Sequence, residues 1–144
     1  MASPEILAAI PHREPFLLVD ELVEQTETRI VCRKTFTGDE FWYQGHYPKF
    51  PITPGVLLCE AVMQAGAVLL ARQFKEQPGM VPVATRAGHV QFKKMVLPGD
   101  TIEIEVELLD QLASAYFLKG RVTVGGKVAA RLDFACTLTE GPAA

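Results

Sequence analysis

Alternation of apolar and polar residues is strictest near the C-terminal end of the chain. From residue 101 to 108 every even position is apolar, while positions 103, 105 and 107 are glutamate. Successive side chains of a strand point to opposite faces, so this segment predicts a strand in a sheet with one face in water. Arg29 to Phe36 alternates more loosely and predicts another strand.

Two further strands are predicted around the dipeptide Gly125-Gly126. They run from Ala113 to Val124 and from Lys127 to Leu138, and the glycines between them suit the positive φ angles of a tight hairpin. Strands joined in this way pair antiparallel. The sequence therefore predicts an antiparallel sheet.

One long segment is apolar on nearly every side. Thr53 is the predicted N-cap of a helix, Pro54 suits its first position, and the pattern continues to about Phe74 before Pro78-Gly79 ends it. A helix of this kind is normally enclosed by the rest of the protein, so we expect the sheet to wrap around it.

Within the apolar run from Val56 to Ala71, only Glu60 and Gln64 are strongly polar. Their i, i+4 spacing places them on one face of the helix. A carboxyl group in apolar surroundings loses hydration, which raises its pKa and makes Glu60 a candidate proton donor near neutral pH. Buried acids are also often only paired or hydrogen-bonded, so the helix alone does not establish catalysis.

A histidine stands just before this helix. His46 follows Gly45 and precedes a proline-stiffened loop that leads into the helix carrying Glu60. A histidine and a carboxylate near a helix N-terminus form an acid and base pair beside a partial positive charge. Together they indicate a catalytic site.

Composition narrows the class of protein. The chain has 144 residues, of which 49% are hydrophobic, so we expect one globular domain over residues 1–144. A net charge of -3 gives no general attraction to nucleic acid or to an anionic membrane. The run from Val56 to Ala71 is shorter than a membrane span and is interrupted by two polar residues, so we expect no membrane insertion.

The cysteines and the remaining histidine indicate neither a disulfide framework nor a metal site. The chain has three cysteines, Cys32, Cys59 and Cys136, and none of them forms a CxxC pair. An odd number without such a pair is typical of a protein in the reducing cytoplasm. His89 has no partner in an HxxH-type motif, so we expect no metal site.

Three blocks of sequence carry a family resemblance: IPHREPFLLVDELVE at 10–24, QGHYPKFPITPGVLLCEAVMQ at 44–64 and FKKMVLPGD at 92–100. In order and spacing they resemble the hot-dog-fold (3R)-hydroxyacyl-acyl-carrier-protein dehydratases of the FabZ type. The resemblance implies an α+β hot-dog fold, in which a long central helix is wrapped by a curved antiparallel sheet.

The resemblance also implies roles for individual residues. His46 matches the base that removes the proton next to the thioester carbonyl, and Glu60 matches the acid that protonates the departing hydroxyl. Gly55 matches the helix-start glycine whose backbone N–H polarises the carbonyl. The reaction gives a trans-2-enoyl thioester in fatty acid or related acyl-chain biosynthesis, and it requires no metal or organic cofactor.

Other positions are candidates for the substrate and its carrier. Met63 and Ala67 either line an acyl tunnel or belong to the core. Lys93, Lys94 and Arg86 are candidates for docking an acidic acyl carrier protein.

The chain also departs from the resembled family near these lysines. The family commonly has an Arg-Arg or Lys-Arg pair followed by Pro, where this chain has Lys93, Lys94 and Met95. Adjacent lysines in a strand would point to opposite faces. His12 and Arg13 lie in the first block and are interpreted as structural supports of the first strand.

Three functions are compatible with the sequence. The first is the dehydratase; the second is a hot-dog acyl thioesterase, in which Glu60 would activate water; the third is a non-catalytic acyl-binding or scaffold subunit.

One helix and a small sheet leave a strand edge exposed, so we expect a homodimer and a higher assembly of dimers. In the resembled family each active site takes its histidine from one subunit and its acid from the other.

Overall fold

The structure is a computed structural model that describes residues 1–74 and 77–141. The helical elements are α1 (Pro4–Ala9), a 3-10 helix (Phe41–Gln44) and α2 (Gly55–Phe74). The strands are β1 (Glu21–Gln25), β2 (Arg29–Thr35), β3 (Met80–Phe92), β4 (Thr101–Leu112), β5 (Ala115–Val124) and β6 (Lys127–Glu140).

The strands form one antiparallel sheet in the order β1-β2-β4-β5-β6-β3. The alternation predicted for β4 is confirmed, because Ile102, Ile104 and Val106 are fully buried. Gly125 and Gly126 have φ angles of 58° and 78° and connect β5 to β6, as their sequence predicts.

β3 lies at the edge of the sheet and pairs with β6. The prediction that Lys93 and Lys94 lie in a strand is wrong, because β3 ends at Phe92. The backbone N–H groups of both lysines instead approach the Ala129 carbonyl oxygen, at 2.7 and 3.3 Å. The chain therefore bends away at this point.

Helix α2 begins later than predicted. The Thr53 hydroxyl hydrogen-bonds to the Tyr43 hydroxyl at 2.6 Å, and the Thr53 N–H donates to the Val96 carbonyl at 2.8 Å. Thr53 is thus used to fix the preceding loop and does not cap the helix. Pro54 takes the capping position, since its carbonyl accepts the N–H of Leu58 at 3.4 Å.

The sheet wraps α2, and buried side chains of the helix form much of the core. The buried residues of α2 are Leu58, Ala61, Val62, Gln64, Ala65, Gly66, Val68, Leu69 and Leu70. Contact with β5 is close at Gly120, where an added Cβ would lie 2.3 Å from Val62 Cγ1 and 3.1 Å from the Glu105 carbonyl oxygen. A side chain at this position would push the helix away from the sheet.

Within the described residues α2 is the helix long and apolar enough to cross a membrane, with a mean hydropathy of 1.5 over its most apolar window. The helix has 20 residues and extends beyond the apolar run from Val56 to Ala71 at both ends. Half of that window is buried inside the protein, as in the core helix of a globular domain.

Candidate active site

His46 is held in the turn that follows the 3-10 helix. Its backbone N–H donates to the Trp42 carbonyl at 3.0 Å, and its Nδ1 lies 2.9 Å from the carbonyl oxygen of Ile52. A carbonyl only accepts hydrogen bonds, so Nδ1 carries the hydrogen. In the neutral ring Nε2 then keeps its lone pair and is the nitrogen that can accept a proton.

Gly55, at the start of α2, leaves a backbone donor free. Within the described part of the chain its N–H has no hydrogen-bond acceptor, as expected for the first residue of a helix. The helix dipole adds a partial positive charge here. The ring of Phe92 covers the glycine, and a Cβ at this position would lie 2.7 Å from its Cε1.

Glu60 is held by Gln64, as their spacing predicts. Gln64 is fully buried and donates from Nε2 to Glu60 Oε2 at 3.0 Å and to the Phe16 carbonyl at 2.9 Å. Its Oε1 accepts the Leu18 N–H at 2.7 Å. The buried amide therefore joins the acid to the segment that precedes β1.

The expectation that Glu60 is enclosed by apolar groups is wrong for the single chain. Its side chain is 26% exposed, because it borders a small cavity. That cavity, of about 140 Å³, is lined by His12, Glu60, Met63, Ala67, Pro82, Ala84, Phe134 and Cys136. Met63 and Ala67 thus lie at a cavity that begins at the acid.

A larger depression lies elsewhere on the sheet. It has a volume of about 530 Å³ and contains none of the candidate catalytic residues. Its lining includes Glu105 and Glu107, which lie at the water-facing positions of β4. The smaller cavity is the one that the candidate acid Glu60 lines.

His46 and Glu60 do not meet within one chain. No nitrogen of the His46 ring lies within 4.0 Å of the Glu60 carboxylate, whereas His12 Nε2 lies 3.9 Å from Glu60 Oε2.

The sequence does not predict the approach of His12 to Glu60. β1 begins only at Glu21, and the intervening loop carries His12 to the acid. Sequence reasoning missed this contact because no periodic pattern fixes the path of a loop. The neighbouring Arg13 does have a structural role, since its guanidinium donates to the carbonyl oxygens of Leu7, Ile10 and His12.

The basic docking candidates are on the surface. Arg86 lies in β3, Lys93 and Lys94 follow it, and all three are exposed. Within residues 1–74 and 77–141 none of them forms an ion pair, so their charges remain available to a partner.

Comparison with known sequences gives consistent matches. A family model described as the FabA-like domain matches residues 10–133. The chain is 46% identical over 125 residues to 3-hydroxyacyl-acyl-carrier-protein dehydratase FabZ from Clostridium perfringens strain SM101, an alignment that covers 87% of this chain and 89% of the relative. It is 43% identical over 143 residues to the protein of the same name from Caulobacter vibrioides strain NA1000, covering 97% of this chain and 90% of the relative.

A solved structure matches the fold. It is the dehydratase heterocomplex ApeI:P from Xenorhabdus doucetiae, with a TM-score of 0.77 and 18% sequence identity. The superposition covers 94% of this chain and 91% of the other. The predicted hot-dog architecture, a central helix wrapped by an antiparallel sheet, is thereby confirmed.

Proposed function

The chain belongs to the FabA-like domain family and is a dehydratase, and we propose that it eliminates water from a (3R)-3-hydroxyacyl thioester carried by acyl carrier protein. The observation that carries the proposal is the hydrogen bond of His46 Nδ1 to Ile52, which leaves Nε2 as a base. We assign this activity to one hot-dog domain spanning residues 1–144.

Three groups divide the chemistry. His46 Nε2 removes the proton from the carbon next to the thioester carbonyl. The negative charge that develops on the carbonyl oxygen is stabilised by a hydrogen bond from the free N–H of Gly55. Glu60 gives its proton to the hydroxyl on the next carbon, which leaves as water. One donor at such an oxygen is typically worth about 3 kcal/mol of transition-state stabilisation.

The active site is proposed to form between two chains. His46 and Glu60 lie apart within one chain, and β3 presents an edge whose outer side has no strand partner among the described residues. An unpaired strand edge is a template for pairing with a second sheet. Exposed apolar side chains on β3 and near the start of α2 support the same surface as the contact between the two chains. They are Phe50, Val56, Val83, Val90 and Phe92. These features favour a homodimer, which we expect to assemble further.

Substrate binding is proposed to use the neighbouring groups. The cavity at Met63 and Ala67 receives the acyl chain, and Arg86, Lys93 and Lys94 attract the acidic carrier protein. Catalysis is proposed to take place in the cytoplasm, since Cys32, Cys59 and Cys136 are free thiols.

An assay with two readouts tests the activity. Purified protein is incubated with 3-hydroxyacyl and trans-2-enoyl thioesters, while the ultraviolet absorbance of the conjugated enoyl product and the release of free thiol are followed. We expect an absorbance change without thiol release. Thiol release would show a thioesterase instead, and the absence of both signals on acyl-carrier-protein substrates would indicate a non-catalytic subunit.

A further inference from the structure

We propose that His12 is a positioning residue for Glu60, and that it directs the acid so that Oε1 is the oxygen that carries and delivers the proton. The inference rests on the dehydratase function proposed above. It assigns His12 a role in the proton transfer without direct contact with the reacting atoms.

The two oxygens of Glu60 have different surroundings. Oε2 accepts the Gln64 amide at 3.0 Å and lies 3.9 Å from His12 Nε2. Within the described residues no hydrogen bond reaches Oε1. A hydrogen bond from an N–H group to an oxygen has a nitrogen–oxygen distance of about 2.9 Å, so a ring movement of about 1 Å would add a second donor to Oε2. Because Oε2 already accepts from Gln64 and faces His12, we assign the proton of the neutral acid to Oε1.

The other nitrogen of His12 supports this orientation. Nδ1 is buried and has no hydrogen-bond partner among the residues that the structure describes. Nδ1 lacks a partner in either neutral tautomer, so the surroundings of Nε2 decide between the two. Nε2 faces the Glu60 carboxyl oxygen, which is an acceptor, so the favoured tautomer carries its hydrogen on Nε2.

The loop that carries His12 is fixed at both ends. Arg13 ties it to the carbonyl oxygens of Leu7 and Ile10 at the end of α1. Gln64 ties the following segment to α2 through Phe16 and Leu18. The buried amide of Gln64 thus contacts both Glu60 and the segment that follows His12. This fixes the positions of the Glu60 and His12 side chains relative to each other.

A matched pair of substitutions tests the role. His12→Gln and His12→Met have similar length, but only glutamine retains an N–H donor near the position of Nε2. We expect His12→Met to lower kcat by about 10-fold with KM within about two-fold, because a positioning group acts in the transition state. His12→Gln should keep kcat within about three-fold of the wild type. Equal kcat values for the two variants, or a loss confined to KM, would overturn the proposal.

Two further measurements keep the inference separate from the proposed function. Wild-type dehydration and its loss in Glu60→Gln test the dehydratase assignment, independently of the His12 pair. Nitrogen NMR of the wild-type His12 ring, which needs no variant to fold, should show the hydrogen on Nε2. A hydrogen on Nδ1 would contradict the positioning role even if the enzyme is active.

Discussion

At His46 a single backbone carbonyl determines which ring nitrogen can act as a base. The hydrogen bond from Nδ1 to the Ile52 carbonyl fixes both the orientation and the tautomer of the ring, so both depend on the same loop. The buried amide of Gln64 orients the Glu60 carboxyl group in the same way. Both groups are thus oriented before substrate arrives, which is the condition for efficient proton transfer.

Substitution of either group should abolish most of the activity. We expect His46→Ala and Glu60→Gln each to lower the dehydration rate by about two to four orders of magnitude, since each removes one proton-transfer role. Glu103→Gln is a matched control for Glu60→Gln, because Glu103 is exposed and lies outside the cavity lining. Initial rates of absorbance change provide the measurement, and full activity in either site variant would contradict the assignment.

Cys32 should make folding stability depend on alkaline pH. Burial raises the pKa of its thiol to about 12, from an ordinary value of 9.0. Above pH 9 the unfolded chain loses this proton while the folded chain keeps it, so stability falls as pH rises. The difference in unfolding free energy between the wild type and Cys32→Ala should shift against the wild type by about 1.4 kcal/mol from pH 8 to pH 10. Denaturant titrations at the two pH values measure this, and an unchanged difference would rule it out.

At the residue level the sequence predicts what local spacing determines. Glu60 and Gln64 were expected on one helix face, and their hydrogen bond confirms it. The contact of His12 with Glu60 was not predictable, because it depends on the path of an irregular loop. Its anchor to α2 joins residues 46 and 48 positions apart in sequence, and no local pattern specifies such bonds.

At the level of elements, helix α2 and the sheet fit together through glycines as well as apolar side chains. Gly120→Ala should destabilise the protein by about 1–3 kcal/mol, because its Cβ would overlap Val62 and approach the Glu105 carbonyl. Gly45→Ala is a control in the turn before α2, since its φ is -114° and an added Cβ there meets nothing within 4 Å. Chemical unfolding compares the two variants. Equal denaturant midpoints for the two variants would show that helix α2 can shift away from β5 without a loss of folding free energy.

Element boundaries were predicted less well than the elements themselves. The alternation in β4 and the glycine pair after β5 are local signals, and both strands follow them. Helix α2 starts later than the sequence predicts, because the Thr53 hydroxyl, the predicted cap, instead forms a tertiary hydrogen bond to Tyr43. Tertiary contacts can override local preference in this way.

At the level of the whole molecule, the proposed site takes its residues from two chains. Within a chain His46 and Glu60 stay apart, and the β3 edge with its apolar side chains is left open. A two-fold axis would bring the histidine of one chain to the acid of the other twice in each dimer. The sequence predicts both candidate catalytic residues, but the pattern of one chain does not show whether they act in the same site or in different sites.

A mixed-dimer experiment tests the shared catalytic site most directly. His46→Ala and Glu60→Gln proteins are unfolded together in equal amounts and refolded, with each variant refolded alone as the control. Random pairing makes half of the dimers mixed, and each mixed dimer has one intact site of two. We therefore predict recovery of about a quarter of the wild-type dehydration rate. No recovery, with mixed dimers confirmed by mass spectrometry, would contradict a site built from His46 of one chain and Glu60 of the other.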